Sequence, residues 1–399
     1  MIYLDNSSTT PIDPEVLDAM MPYLKEEFGN PSSRHYTLAK NAERAVEEAR
    51  EKLASLINSK PDEIIFTSGA SESNNFIIKG VADYKKYYEN RGNHIITSRV
   101  EHKSVLQTCK FLNGEVYLNK EKNKPKSYVP RKVKSIKVDR GYDITFMDVN
   151  EYGQVNNESL TAAIKDTTIL VSLIWGNNEI GSLNDIKSLA SLVKEKVILF
   201  HSDATQVLGK VDIDVSKIPV DFLSFSAHKI YGPKGIGACY IRNKMKDVPN
   251  IDITALIHGG LQEGGYRAGT HAVHNIVGFG KAAEIAKRDM NEYIGKLKNL
   301  ELETRKMLKA KFPEIEFLGD PENHIPGVVP VILPGVVNEM LIEKLSKDVA
   351  ISSGSACGIG EPSYVVEAIG KYNYSNNFIR LSLNKNLDYN KVLDVINSF

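Results

Sequence analysis

Short apolar runs bounded by turn residues alternate along this chain with longer stretches of helical periodicity. Ile64-Ile65-Phe66-Thr67, Ile169 to Trp175, Val197-Ile198-Leu199-Phe200 and Val220 to Phe225 each read as a buried strand, since a short continuous apolar run leaves no polar face for solvent. Leu38 to Ile57 instead carries its apolar residues at helical spacing, with Glu, Lys and Arg opposite, and predicts a surface amphipathic helix. Pro14 and Glu15 open an earlier helix at a place suited to proline. Ile64–Thr67 breaks at Ser68-Gly69 into a helix starting near Ser71, and Asn93 to Leu106 reads as strand then helix. Beyond about residue 260 helix and strand alternate again. The pattern predicts an α/β fold, in which ligands gather outside the carboxyl ends of the strands.

Candidate chemistry falls at those ends. Lys229 stands where the run Val220 to Phe225 gives way to the turn-rich Gly232-Pro233-Lys234-Gly235. A lysine at the edge of a core is costly as a free cation, and a desolvated lysine is the usual amine for condensation with an aldehyde. A solvated lysine flanking a strand is the plain alternative. Upstream, "FHSDATQ" delivers Asp203 at the end of another apolar run. A carboxylate and a lysine on successive strands match the two handles of pyridoxal phosphate: an amine for its aldehyde, and an acid to keep its ring nitrogen protonated. The turn before Ser71 feeds a helix N-terminus, where free N–H groups and the helix dipole favour an anion; an ordinary helix cap reads the same way. Cys357 lies among Gly354, Ser355, Gly358 and Gly360, an exposed-loop composition, and exposed thiols are seldom structural. Cys109 and Cys239 sit in apolar surroundings and read as core.

These motifs, in order from "YLDNSSTTP" (Tyr3 to Pro11) to "FIRLSL" (Phe378 to Leu383), resemble the fold-type-I pyridoxal-phosphate enzymes, and among them cysteine desulfurases of the NifS/IscS kind. The resemblance implies a large domain, 16–260, built on a mostly parallel seven-stranded sheet, and a smaller α/β domain formed by 1–15 and 261–399. It implies that Lys229 carries the cofactor, that Ala70 and Ser71 hold its phosphate, and that His102, from "VEH", stacks on the ring and moves protons. Asn178 meets the phenolic oxygen with help from Gln206, and Ser226 and His228 complete the cofactor contacts. Thr270, in "HGGLQEGGYRAGTHA", reaches the phosphate of a neighbouring subunit, which implies a homodimer. Arg380 takes the substrate α-carboxylate, a planar anion that suits its fork, with Asn178 beside it. Cys357, in "SSGSAC", is the nucleophile. No metal is implied.

The chain departs from these relatives in three places. Gly264 stands where arginine is common, and only three residues separate Cys357 from "EPS", about two fewer than usual, which shortens the maximum reach by about 7 Å. Lys120 to Arg140 forms a basic, proline-broken insertion. A charge run of this kind is first read as a solvated face and only second as a docking surface for RNA or an acidic partner.

Composition narrows the setting. The chain has 399 residues, long for one core, with 42% hydrophobic and 25% charged residues, as in soluble globular proteins. Lys plus Arg and Asp plus Glu both number 50, so no global field argues for nucleic acid or membrane. No apolar span of membrane length and no leader-like N-terminus are present. Three scattered cysteines exclude a disulfide framework, and a reducing cytoplasmic setting is expected. The expected reaction converts L-cysteine to L-alanine with sulfur retained as a persulfide on Cys357. The sulfur would then pass to an iron–sulfur scaffold, a tRNA-thiolation enzyme or another carrier. A selenocysteine lyase or a C–S lyase would share the cofactor residues; a non-catalytic scaffold would be expected to have lost Lys229 or Asp203.

Overall fold

The computed structural model describes residues 1–33, 35–118, 134–242, 252–354 and 362–399. In chain order the elements are β1 (Ile2–Tyr3), α1 (Pro14–Lys25), α2 (Thr37–Leu56), β2 (Ile64–Thr67), α3 (Ala70–Asp83), β3 (His94–Ser98), α4 (Lys103–Leu112), β4 (Glu115–Leu118), β5 (Lys134–Lys137) and β6 (Asp143–Met147). There follow α5 (Asn157–Ala163), β7 (Thr168–Ser172), α6 (Ile186–Glu195), β8 (Leu199–Asp203), β9 (Phe222–Ser226) and β10 (Gly237–Ile241). The remainder is α7 (Val273–Lys311), β11 (Glu316–Phe317), β12 (Val328–Ile332), α8 (Asn338–Leu345), β13 (Val349–Ala350), α9 (Tyr364–Ala368), β14 (Phe378–Ser382) and α10 (Tyr389–Ser398).

The main sheet has seven strands in the order β2-β10-β9-β8-β7-β3-β6. Only β10 runs against the others, so the carboxyl ends of β2, β3, β7, β8 and β9 open on one side. Helices cover the sheet, and its strands are buried on both faces, which is why they read as unbroken apolar runs. Gly237 lets β10 close against the start of α3: a Cβ there would lie 2.4 Å from the Phe225 carbonyl oxygen and 2.5 Å from Gly69 Cα.

A second hydrophobic cluster gathers Leu4, Val329, Val331, Ile379, Leu381 and Val392 around the three-stranded sheet β11-β12-β14. The N-terminus folds back into it, with Ile2 and Tyr3 pairing in parallel with Val349 and Ala350. Helix α7 joins the two clusters: Ile276, Phe279 and Ala283 pack in the first, Leu297, Leu300 and Leu308 in the second.

Several expected strand residues lie outside the strands: Leu173, Ile174 and Trp175 follow β7, Val197 and Ile198 precede β8, and Val220 and Asp221 precede β9. Val197 does not belong to a buried strand; it is 68% exposed, with φ of 58°. It lies in the turn that ends α6, where Val197 N–H donates to Lys194 O and Ile198 N–H to Val193 O. That is the left-handed position at which helices commonly stop, and β8 starts only at Leu199. Most of the basic insertion, 119–133, lies outside the described residues, so the docking expectation for it does too. Of its described part, Lys134–Lys137 pairs with β4, and the Arg140 guanidinium lies 3.8 Å from the Phe111 ring centroid.

Candidate active site

The strand ends on the open side of the main sheet converge on a cavity of about 230 Å³. It is lined by Ser7, Ser8, Ala70, Ser71, His102, Asn178, Asp203, Gln206, Ser226, His228, Lys229 and Arg380, together with Ile174 and Thr205. Every site residue expected from the sequence is in this set except two. Thr270 is exposed and lines none of the cavity; Cys357 lies outside the described residues.

Lys229 closes the short 3-10 turn Ala227–Lys229 that follows β9. Its Nζ donates to the carbonyls of Ser7, at 2.6 Å, and Ser8, at 2.7 Å. The N-terminal segment is fixed there by Thr10 N–H to His228 O (3.0 Å), Tyr231 N–H to Thr10 Oγ1 (2.8 Å) and Asp13 N–H to Tyr231 O (2.9 Å). Burial drives the Lys229 amine down to about 7, Arg380 and Lys210 add to the shift, and Asp5 and Asp203 oppose it.

A hydrogen-bonded chain ties the acid to the imidazole. Asp203 accepts from Asn74 Nδ2 at 2.8 Å and from Thr205 N–H at 3.0 Å. Asn74 Nδ2 also donates to Ser104 Oγ (2.8 Å), which lies 2.8 Å from His102 Nδ1. His102 caps α4, its Nδ1 accepting from Ser104 N–H at 3.2 Å. An Nδ1 that accepts leaves the ring proton on Nε2. Burial lowers the His102 pKa, with Lys229 and Lys103 adding to it against the pull of Asp203, which favours the neutral ring. Asn74 and Ser104 escaped the sequence reading, because one lies within a helix and the other two residues past a cap, with no motif to mark either.

Arg380 is 1% exposed on β14. Its Nη1 donates to Asn178 O (2.5 Å) and its Nη2 to Asp5 Oδ1 (2.6 Å) and Ser8 Oγ (3.0 Å), while Nε has no partner among the described residues. Asn178 Oδ1 and Gln206 Oε1 are likewise buried and unpaired. Buried polar atoms are ordinarily satisfied, so three orphans on one cavity mark a place for a polar ligand. The residues present fit pyridoxal phosphate. Lys229 would supply an amine for the aldehyde, Asp203 a carboxylate and His102 an imidazole, and the N-terminus of α3, where Ala70 N–H donates to Ser226 Oγ (2.8 Å), would offer donors to a phosphate.

The segment that carries Thr270 is clamped to β2. Glu263 accepts from both Arg50 Nη atoms at 2.8 Å, from Phe66 N–H at 2.7 Å, and lies 2.6 Å from His271 Nε2. Gly264, next to it, has φ of 63° with nothing within 4 Å of a Cβ position, so an arginine there would meet backbone strain and no steric block.

Glu101, one residue before His102, is wholly buried. Oε1 accepts from Ser98 Oγ (2.6 Å) and Ile174 N–H (2.9 Å), and Oε2 has no partner among the described residues. Burial raises its pKa to about 8 against these hydrogen bonds, with a smaller push from Asp203. A folded-state pKa above the ordinary value near 4.5 means that the native chain binds the extra proton between pH 4.5 and 8, so stability falls as pH rises through that window and levels off above it. Glu101→Gln keeps the Oε1 acceptor without the charge. It is expected to raise stability by a few kcal/mol at pH 8.5 and by little at pH 4.5; equal gains in urea melts at both pH values would refute this.

Among the described residues the cysteines are Cys109 and Cys239. Both are fully buried, and burial pushes both thiols upward.

Comparison with known proteins follows the geometry. The aminotransferase class-V family matches residues 2–123 and 131–395. The chain is 42% identical over 372 residues to cysteine desulfurase IscS of Neisseria meningitidis, covering 93% of this chain and 84% of that one. A solved NifS-like protein superposes with a TM-score of 0.85 at 33% identity, covering 99% of this chain and 97% of that one. A solved structure of SspA in complex with cysteine gives a TM-score of 0.76 at 33% identity, covering 96% and 99%. Enzymes of this family depend on pyridoxal phosphate, which accounts for the lysine, the acid and the unpaired atoms around one cavity. The chain belongs to the aminotransferase class-V family, among its cysteine desulfurases.

Proposed function

We propose that the chain converts L-cysteine to L-alanine and takes the sulfur as a persulfide on Cys357. The thiol of Cys357 gains one sulfur atom, the C–S bond of the substrate breaks, and a hydrogen takes the sulfur's place on carbon. The observation that carries the reading is the joint presence on one cavity of a low-pKa lysine, a carboxylate bound through Asn74 and an arginine with a free Nε. When bound, pyridoxal phosphate supplies an electron sink for the substrate's α-carbon. Arg380 receives the substrate carboxylate and Asn178 lies beside it. Lys229 would move the α-proton, Asp203 would hold a proton on the ring nitrogen, and His102 would relay protons through Nε2 beside the ring. Ala70, Ser71, Ser226 and His228 bind the cofactor, with Gln206 beside its phenolic oxygen.

Support for Cys357 comes from the flanks of its segment. Ser352 pairs with Arg380 through backbone bonds of 2.7 and 3.4 Å. Ser363 Oγ donates to Glu179 Oε2 at 2.5 Å, and Glu179 follows Asn178 directly. One flank is therefore tied to a residue of the site and the other to the chain neighbour of one. We read 16–260 as the domain that carries Lys229, and 1–15 with 261–399 as the one that carries Cys357. The exposed Thr270 suits a contact with the cofactor phosphate of a second subunit in a homodimer. The persulfide would serve an acceptor protein in the cytoplasm, for iron–sulfur assembly or tRNA thiolation. Among the described residues no helix is long and apolar enough to cross a membrane.

The test is product analysis with L-cysteine and with L-selenocysteine. L-cysteine is expected to give L-alanine and a protein one sulfur atom heavier. Free sulfide with pyruvate and ammonia, and no adduct, would assign a C–S lyase instead.

A further inference from the structure

Arg380 is met by acceptors of the chain itself. Its guanidinium offers N–H donors in a rigid plane, and a carboxylate docks on two parallel ones, either Nε with Nη2 or Nη1 with Nη2. Nη2 belongs to both pairs. Its hydrogens go to Asp5 Oδ1 at 2.6 Å and Ser8 Oγ at 3.0 Å, while Nη1 donates to Asn178 O at 2.5 Å. Nε has no partner among the described residues, yet it lacks an open neighbour to form a pair. A substrate carboxylate therefore has to evict an acceptor that the fold supplies. Of these acceptors Asp5 alone carries a charge, and it is ion-paired with the buried arginine. Backbone bonds hold its segment on β14: Ser382 N–H donates to Leu4 O at 2.7 Å, Asn6 N–H to Ser382 O at 3.3 Å, and Ser8 N–H to Asp5 O at 2.9 Å. The Tyr3 hydroxyl adds a bond to Asp5 O at 3.0 Å. None of these bonds uses the Asp5 carboxylate.

We infer that Asp5 is an internal rival of the substrate carboxylate and sets how tightly the site holds an amino acid. The inference rests on the reading above that Arg380 receives that carboxylate. Asp5 compensates a buried cation that would be costly alone, and it places a negative charge where a second carboxylate has to sit. Ser8, neutral and the longer of the two bonds to Nη2, is the acceptor that yields. The incoming carboxylate then takes Nε with Nη2 and lies beside Asp5, whose charge repels it. Evicting Asp5 instead would forfeit the ion pair, so either route loosens binding. Substrate and product both carry the carboxylate, so the rivalry also eases the departure of L-alanine. Holding the ground state more tightly would gain nothing in turnover once the site is filled.

The experiment is equilibrium titration of the holoenzyme with L-alanine and with ethylamine, its counterpart without the carboxylate, followed by absorbance of the bound cofactor. Asp5→Asn keeps an acceptor oxygen for Nη2 and removes the charge. It is expected to tighten L-alanine by about fivefold or more and to leave ethylamine within about twofold of the parent. Asp5→Ser, neutral as well, gives a second reading of the same charge, and thermal melts report whether each variant is folded. A segment that needed Asp5 only for its structure would instead bind both ligands more weakly in both variants. Arg380→Lys, which keeps the charge and loses the fork, tests the underlying reading by itself and should weaken L-alanine, but not ethylamine, by about tenfold or more. If it does not, Arg380 loses the carboxylate and the role of Asp5 falls with it. If it does, while L-alanine binds Asp5→Asn no more tightly than the parent, the role of Asp5 alone is overturned.

Discussion

Lys229→Ala is expected to leave a folded chain that holds pyridoxal phosphate only non-covalently and turns over L-cysteine at least about 10⁴-fold more slowly. The size of the loss follows from the state of the amine. A solvated lysine with a pKa near 10.4 is unprotonated in only about 1 in 2,500 molecules at pH 7. Burial, Arg380 and Lys210 bring Lys229 down to about 7, so near neutrality a large fraction is free to condense with an aldehyde or to accept a proton. No other cavity residue can replace it. His228 is brought down to about 4 by burial and by neighbouring cations, and Arg380 is engaged with Asp5, Ser8 and Asn178. Lys229→Arg, which keeps the charge but cannot become a neutral amine, should be as inactive. The measurements are absorbance of the bound cofactor, peptide mapping after borohydride reduction and alanine release. A borohydride-stable adduct on another residue, or turnover within tenfold of the parent, would remove Lys229 from its role.

The second large effect concerns sulfur. Cys357→Ala is expected to bind cofactor and cysteine as the parent does, since neither step uses this thiol, while persulfide formation and cysteine-dependent alanine release fall by about 10³-fold or more. Sulfur transfer needs a thiolate. Cys109 and Cys239 cannot supply one near neutral pH, because full burial raises both thiols well above their ordinary range. Cys109→Ser and Cys239→Ser should therefore lower stability and leave the sulfur adduct in place. Intact mass after incubation with L-cysteine decides the matter: a Cys357→Ala protein that still gains one sulfur atom would end the assignment.

The sequence by itself pointed to most strands of the main sheet and to most of the residues that line the cavity. Ile64–Thr67 and, within the run Val220 to Phe225, most of β9 were legible as strands because burial on both faces writes an apolar run. Asp203, His102 and Lys229 were legible because they stand where such runs end, and parallel strands bring their carboxyl ends to one edge. Family resemblance then joined Arg380 and Asn178 to that edge, which periodicity could not do. Where local pattern and chain reversal compete, pattern misleads: Val197 is apolar but belongs to the turn ending α6.

Only the tertiary structure decided how the site is wired. The carbonyls of Ser7 and Ser8 hold a lysine about 220 residues away in sequence. Asn74 and Ser104 bridge Asp203 to His102 from two different helices. Lys210 lies buried at 4% exposure and, among the described residues, forms no ion pair. These features are single hydrogen bonds and single burials between distant segments. Secondary-structure patterning records which face of an element meets the core, and it carries no trace of which distant carbonyl or amide will stand opposite a given side chain once the elements pack.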